Sequence, residues 1–132
     1  MTKVIDYLGD RIKSYESLST SRKAFVGQPI IVRLDGKAFH TFTKGLEKPF
    51  DANLTRMMTL TMDHLVEKFH AKLGFSQSDE INVLFYEPSG SQSEYIFGGR
   101  FQKLESLLAA SASVYFASLI PEYLPSKIGS NR

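Results

Sequence analysis

The chain has 132 residues and a formal net charge of +2, which suits one domain with one core and gives no global electrostatic case for nucleic-acid binding. The absence of cysteine excludes disulfides, thiolate metal sites and a cysteine nucleophile. No run approaches the roughly 18 apolar residues of a membrane span and no apolar signal core precedes the domain, so we expect a cytoplasmic protein without a membrane partner.

The first predicted elements are a helix over residues 4–16 and, after a polar loop over residues 17–28, a buried strand. Pro29 can open a strand but not lie inside one, and residues 30–34 after it form a nearly continuous apolar run. The helix is predicted from apolar residues that recur at three- and four-residue spacing: Val4, Leu8, Ile12 and Tyr15.

A long amphipathic helix is predicted next, after the irregular segment of residues 36–50. Asp51 is a suitable N-cap for this helix. The methionines on its apolar face predict core packing in preference to a cofactor or partner groove. The apolar face follows a period of 3.6 residues: Leu54, Met57, Met58, Met62, Leu65, Val66 and Phe69.

The rest of the chain predicts a β-hairpin, a short strand and a last helix. Residues 73–76 and 81–86 flank a polar turn, residues 95–97 favour a short strand, and Pro121 is expected to end a helix over residues 100–119. The order predicts an α+β, ferredoxin-like fold, with an antiparallel sheet and helices on one face. Because a complete unit adds another strand after the last helix, we expect the chain to be C-terminally incomplete.

Two short acidic motifs lie at the ends of predicted strands. Asp35 and Gly36 follow the first strand, while Asp79 and Glu80 belong to the turn of residues 77–80. A strand–helix–strand path can return the second motif beside the first, and paired carboxylates suit hard divalent cations with oxygen ligands. Each motif alone is typical of an ordinary turn. Together they favour the two-metal chemistry of nucleotidyl transfer.

The segment after Gly36 predicts an anion-binding loop. Glycine lets successive backbone N–H groups of residues 36–40 point at one anion, such as a triphosphate. Asp35 and the Gly36 carbonyl would then hold the cation. His40 is the last residue of this loop, where a nucleotide contact and an ordinary polar contact are equally compatible with the sequence. The candidate phosphate ligands outside the loop are basic residues: Lys48, Arg100 and Lys103.

At these residues the chain resembles the tRNA(His) guanylyltransferase family and its Thg1-like relatives, the 3′-to-5′ polymerases. The matching segments are residues 33–42, 48–51, 77–80 and 100–103, in the family's order and at about its spacing. The resemblance implies that residues 1–132 are the N-terminal part of a catalytic palm domain, with the remainder of the family's chain absent. It also implies a homo-oligomer in the complete protein.

The resemblance implies an enzyme that adds a nucleotide, guanylate in the family, to the 5′ end of tRNA. Two Mg²⁺ ions would be held by Asp35, Asp79 and the Gly36 carbonyl. Asp35, Asp79 and Glu80 would be the catalytic carboxylates, with Ser78 as a supporting residue. GTP or ATP would contact the loop and the basic residues: Gly36, Lys37, Ala38, Phe39, His40, Lys48, Arg100 and Lys103.

Departures from the family's pattern leave the substrate open. Lys37 and Ala38 stand where the family often has Arg-Asn, and Phe50 stands where it often has Asn. These differences favour a protein of bacterial or phage type, and they leave tRNA(His) specificity and general 5′-end repair as alternatives. A nucleotide cyclase would instead turn over NTP without RNA. A non-catalytic fragment would bind RNA or nucleotide without magnesium-dependent turnover.

Overall fold

A computed structural model describes residues 6–129 of the chain. Its three strands form one antiparallel sheet in the order β1-β3-β2, so β3 is central. This α+β architecture confirms the predicted fold class. The elements are α1 (Tyr7–Thr20), β1 (Ile30–Asp35), α2 (Phe39–Phe42), α3 (Ala52–Lys68), β2 (Leu73–Gln77), β3 (Glu80–Phe85) and α4 (Phe101–Tyr123), with 3₁₀ turns at Ile96–Gly99 and Pro125–Lys127.

The core lies between one face of the sheet and the helices α3 and α4. Alternate residues of β1 and β3 point into it, because successive side chains of a strand face opposite sides of the sheet. Met57 and Met58 are almost fully buried, which confirms that the methionine stripe packs in the core. Buried residues come from both layers: Val32, Val83, Met58, Leu65, Leu104 and Leu108.

Close packing of α3 on β2 depends on Gly74. A Cβ atom at this position would lie 2.6 Å from Cγ of Met62 and 2.8 Å from Cγ2 of Val66. Both of those side chains belong to α3. A larger residue in the strand would therefore push the helix away from the sheet.

Helix α1 differs from its predicted bounds and buries none of its residues. It continues to Thr20, and the polar residues that predicted a loop are accommodated in the helix, where Thr20 Oγ1 donates to the carbonyl of Glu16 at 2.9 Å. Ile12 and Tyr15 of the predicted stripe are 54% and 64% exposed. Val4 lies outside the described residues.

Two predictions about the C-terminal third are wrong. The predicted strand over residues 95–97 is a 3₁₀ turn, because Phe97 has a left-handed φ of 57° that an extended strand excludes. Pro121 does not end α4, which continues to Tyr123. A proline in the last turn removes only one helical hydrogen bond, and the Leu124 N–H still donates to the carbonyl of Ile120 at 2.8 Å.

Helix α4 is long and apolar enough to cross a membrane by length and composition alone, with a mean hydropathy of 1.4. In this fold α4 contacts α3 and β1 through Leu104 and Leu108. Only 11% of its 18-residue apolar window is buried, and a single helix that meets these criteria of length and composition is weak evidence for a membrane span.

Candidate active site

The sheet brings the two acidic motifs to one end of the fold. Asp35 is the last residue of β1 and lies directly opposite Glu80, the first residue of β3. The backbone N–H of Gly36 donates a hydrogen bond to the carbonyl of Asp79 at 3.0 Å. The two motifs, separated in the chain by α3, are therefore neighbours.

A tight turn between β2 and β3 presents Asp79. Gln77 pairs with Glu80, which leaves Ser78 and Asp79 as the two central residues of the turn. Ser78 has a φ of 55°, in the left-handed region that two-residue hairpin turns use. Such a backbone costs free energy in a non-glycine residue and is often found at functional sites.

The loop after β1 folds back over the same end of the sheet. Ala38 adopts a left-handed conformation (φ 55°) directly before the short helix α2. A Cβ atom on Gly36 would lie 2.3 Å from the Phe39 ring, so this close approach requires glycine. The Phe39 ring also contacts the rings of Phe42 and Phe116, at centroid distances of 5.4 Å and 5.6 Å. This aromatic cluster holds the loop against α4.

Asp79 lines two clefts, which share Phe39 and Met58 as common wall residues. The first cleft has a volume of about 560 Å³, and its polar lining includes Asp35, Gly36, Lys37, Thr61 and Asp79. The second has a volume of about 640 Å³, and its polar lining includes His40, Lys48, Asp51, Ser76, Ser78 and Asp79. Most of the predicted site residues are thus gathered around these two cavities.

Arg100 and Lys103 lie at the other end of the sheet. Arg100 bridges to Lys23 before β1, and α4 begins there. The residue of α4 that contacts the loop is Phe116. It lies about 20 Å farther along the helix than Lys103, at a rise of 1.5 Å per residue. The structure does not bring Arg100 and Lys103 into the clefts that contain Asp35 and Asp79.

Arg33 lies at the end of the sheet that carries the two acidic motifs, which we call the acidic end. The sequence motifs did not single it out as a functional residue. Its Nε atom lies 3.7 Å from Oε2 of Glu80 and donates a hydrogen bond to Oδ1 of Asn82 at 3.1 Å. The guanidinium offsets the repulsion between Asp35 and Glu80, which face each other across the strands. The sequence feature that could have identified Arg33 is the alternation of apolar and polar residues along β1, which places Arg33 on the same sheet face as Asp35.

Asp51 caps α3 at the edge of the second cleft. Its carboxylate accepts hydrogen bonds from the backbone N–H groups of Leu54, at 3.0 Å, and Glu47, at 3.2 Å. The bond from Leu54 is the larger cause that holds the pKa of Asp51 below its ordinary value. The carboxylate therefore remains ionised and also fixes the segment that carries Lys48.

The donor atoms at the acidic end suit a hard cation that is shared with a ligand. Within residues 6–129, no three histidine, aspartate or glutamate side chains are grouped as a metal site. Asp35 and Asp79 supply two carboxylates, and the carbonyl of Gly36 adds a backbone oxygen. Mg²⁺ is commonly held by one or two carboxylates together with phosphate oxygens and water. These residues therefore fit Mg²⁺ bound jointly with a nucleotide.

Comparison with known proteins supplies the family. The family model described as tRNA(His) guanylyltransferase (Thg1) matches residues 9–131 of this chain. The chain belongs to the Thg1 family. This result confirms the resemblance seen at the acidic motifs, both of which lie inside the matched span.

Relatives of this Thg1-family chain include the Saccharomyces cerevisiae tRNA(His) guanylyltransferase, which is 32% identical over 102 residues. That match covers 74% of this chain and 41% of the yeast protein. A bacterial Thg1-like protein in complex with GTP superposes with a TM-score of 0.84 at 37% identity, over 92% of this chain and 58% of the bacterial chain. A bacterial Thg1-like protein in complex with ATP superposes with a TM-score of 0.83 at 37% identity, over 92% of this chain and 53% of the bacterial chain. This chain therefore spans about two-fifths of the yeast enzyme and little more than half of the bacterial chains.

Proposed function

We propose that this chain carries the metal- and nucleotide-binding part of a nucleotidyltransferase that adds guanylate to the 5′ end of tRNA. The Gly36–Asp79 hydrogen bond is the observation that carries the proposal, because it joins the two acidic motifs beside two clefts. The names of the yeast relative and of the bacterial complexes with GTP and ATP support the substrate classes. Family membership supports the reaction class.

We infer that Asp35, Asp79 and the Gly36 carbonyl hold two Mg²⁺ ions. Bound there, the ions would supply charge neutralisation to the transferred phosphoryl group and to the attacking and leaving oxygens. Glu80 stays close to this position through its pairing with Asp35, and Arg33 orients its carboxylate. The protein's part is positioning, which a rigid strand end provides better than a mobile loop.

The loop of residues 36–40 is the proposed contact for the nucleotide's triphosphate. The N–H groups of Phe39 and His40 precede the first hydrogen bond of α2, which the Thr41 N–H donates to the carbonyl of Ala38 at 2.9 Å, and they can donate to phosphate oxygens. Lys37 lines the first cleft, whereas His40, Lys48 and Ser78 line the second. Two cavities that share Asp79 can receive an RNA end and a nucleotide together.

The proposed reaction runs in the 3′-to-5′ direction. The 5′-monophosphate of the RNA first attacks the α-phosphorus of ATP or GTP, which forms a 5′–5′ phosphoanhydride and releases pyrophosphate. The 3′-hydroxyl of the incoming GTP then loses its proton and attacks the RNA 5′ phosphorus, which forms the new phosphodiester bond and releases AMP or GMP. We propose that this occurs in the cytoplasm and in a homo-oligomer. Arg100 and Lys103 remain proposed ligands of RNA phosphates, because within one chain they line neither of the clefts that contain Asp79.

A gel assay of 5′-labelled tRNA(His) with ATP, GTP and Mg²⁺ tests this function in the full-length protein. Asp79→Ala is expected to lower the rate of nucleotide addition at least roughly 100-fold, because the loss of an oxygen ligand removes metal-assisted transfer. Asp63→Ala is the matched control, because Asp63 is an exposed carboxylate on α3 that lines neither cleft. Equal activity of the two variants would refute the assignment.

A further inference from the structure

Five basic side chains are gathered at the end of the domain remote from Asp35, and we call them the basal cations. Lys23 and Arg100 pair across an antiparallel bridge. The carbonyl of Arg22 accepts a hydrogen bond from the N–H of Phe101 at 3.1 Å, so the segment before β1 is joined to the start of α4. The basal cations are Arg22, Lys23, Lys68, Arg100 and Lys103.

Phenylalanine rings connect the basal cations into one surface. Phe69 and Phe97 are in edge contact at a centroid distance of 6.2 Å, and Arg100 Nε donates to the carbonyl of Phe97 at 3.2 Å. Cation–π contacts restrain the long side chains over the rings. The contacts, to the ring centroids, are Arg22 over Phe101 at 5.9 Å, Lys68 over Phe69 at 5.8 Å and Lys103 over Phe97 at 5.2 Å.

No carboxylate forms an ion pair with a basal cation within the part of the chain that the structure describes. The ion pairs found there join Arg33 to Glu80 and Lys72 to Glu87, and neither pair includes a basal cation. All five basal cations are exposed. Because the whole chain carries a net charge of only +2, these residues form a local positive region at one end of a nearly neutral molecule.

The spacing of the charges favours an extended polyanion over a small anion. The cations come from three separate segments, before β1, at the end of α3 and at the start of α4. They do not converge on one cavity, whereas successive phosphates of a nucleic acid can meet cations spread along a surface. The carboxylates of Asp35 and Asp79 lie at the opposite end of the sheet, about 20 Å away along α4.

We propose that the basal cations bind the phosphate backbone of RNA while its 5′ end lies at Asp35 and Asp79. This inference rests on the proposed function. Backbone contacts of this kind orient the RNA without reading its sequence. Arg22, Lys23 and Lys68 are the new members of the RNA-binding surface, and they act on affinity and not on the chemistry at the carboxylates.

The test uses Arg22→Gln/Lys23→Gln/Lys68→Gln in the full-length protein, with Arg100 and Lys103 left intact. A matched control removes the same charge elsewhere, at Lys13, Lys44 and Arg56, which are exposed and outside the basal surface. Filter binding of a 5′-monophosphorylated tRNA(His) transcript is measured over a salt series. Calorimetry measures the Kd of Mg-GTP, and circular dichroism measures Tm.

For the basal variant we expect RNA affinity at least roughly tenfold weaker and a slope of log K against log salt reduced by about 2, at 0.7–0.9 per lost phosphate contact. The Kd of Mg-GTP and the Tm should match wild type. The control variant should lose less than about threefold in RNA affinity, since its charges act only at long range.

Equal losses in both variants would overturn the proposal, because net charge alone would explain them. Wild-type RNA affinity in the basal variant would also overturn it. If the wild-type protein itself bound no RNA, the proposed function would fail. If wild-type protein extended tRNA and the basal variant bound RNA equally well, only the basal surface would be refuted.

Discussion

The backbone N–H of Gly36 donates a hydrogen bond to the carbonyl of Asp79 at 3.0 Å. This bond continues the pairing of β1 with β3 just beyond Asp35 and Glu80. The two acidic motifs are consequently held by backbone hydrogen bonds at the end of a central strand, and their relative position does not depend on a flexible side chain. Substitutions of these side chains should therefore weaken ligand binding more than they lower the stability of the fold.

Replacing Gly36 by alanine should weaken nucleotide binding while the fold persists. The new Cβ would lie 2.3 Å from the Phe39 ring, so the ring and the loop of residues 36–40 must move. We expect the Kd of Mg-GTP to rise roughly tenfold, or about 1.4 kcal/mol, and Tm to change by less than about 8 °C. Calorimetry and thermal melting measure both quantities. An unchanged Kd would show that this loop does not contact the nucleotide.

Arg33→Met should change the magnesium dependence of nucleotide binding more than stability. The Arg33–Glu80 pair is largely exposed, with side chains 64% and 38% accessible, so its loss should cost less than about 1 kcal/mol in urea unfolding. Without the guanidinium, Asp35 and Glu80 attract Mg²⁺ more strongly. The half-saturating Mg²⁺ concentration should fall roughly threefold, from Coulomb's law in a high dielectric.

Lys72→Met is the matched control for Arg33, because it breaks an ion pair of similar length, 3.9 Å from Lys72 Nζ to Glu87 Oε1. It should leave the magnesium dependence unchanged. Arg33→Lys, which keeps the charge, should stay close to wild type. A magnesium dependence that is identical in Arg33→Met and Lys72→Met would argue against an electrostatic role for Arg33.

Asp51→Ala should destabilise the domain by about 1 kcal/mol at neutral pH, because the N-cap of α3 is lost. The pKa of Asp51 is lower in the folded than in the unfolded state, owing first to the Leu54 hydrogen bond. The stability from its ionisation is therefore complete above the unfolded pKa of about 3.9 and disappears as pH falls through the folded value.

Asp51→Asn provides the control for this pH effect, since asparagine caps a helix but does not titrate. Urea unfolding from pH 3 to 7 should show wild type gaining stability relative to Asp51→Asn as pH rises through the acid range. Parallel curves for the two proteins would contradict the lowered pKa.

Gly74→Ala should destabilise the fold by roughly 1–3 kcal/mol through overpacking of α3 on β2. The atom it meets is Cγ of Met62, at 2.6 Å from the new Cβ. Combining Gly74→Ala with Met62→Ala should therefore cost less than the sum of the two single changes. Urea unfolding of the four proteins in this cycle measures the coupling. Strictly additive costs would mean that the clash is relieved elsewhere.

The elements with strong hydrophobic patterns could be predicted from the sequence. The apolar run of β1 and the 3.6-residue period of α3 are both dictated by the core that they enter. The ends of the helices and strands could be predicted less well from the sequence. Phe97 adopts a left-handed backbone that propensity does not reveal, and Pro121 is tolerated because only one hydrogen bond of the last turn is lost.

The candidate site was partly predictable for a topological reason. The position of Asp35 and Asp79 at strand ends, together with antiparallel pairing, makes them neighbours. Arg100 and Lys103 were predicted as phosphate ligands from their charge and from the family resemblance, and neither of these carries distances. Their separation follows from the direction of β3, which leads the chain away from the acidic end before α4 begins.

Amide chemical shifts recorded during titration with GTP, with and without Mg²⁺, test most directly whether the two acidic motifs form one nucleotide site. The predicted result is a set of Mg²⁺-dependent shifts in residues 36–40 and 77–80 that disappears in Asp79→Asn, while residues around Arg22 and Arg100 do not respond. Shifts that arise only outside these two segments, or that persist unchanged in Asp79→Asn, would contradict a shared metal and nucleotide site.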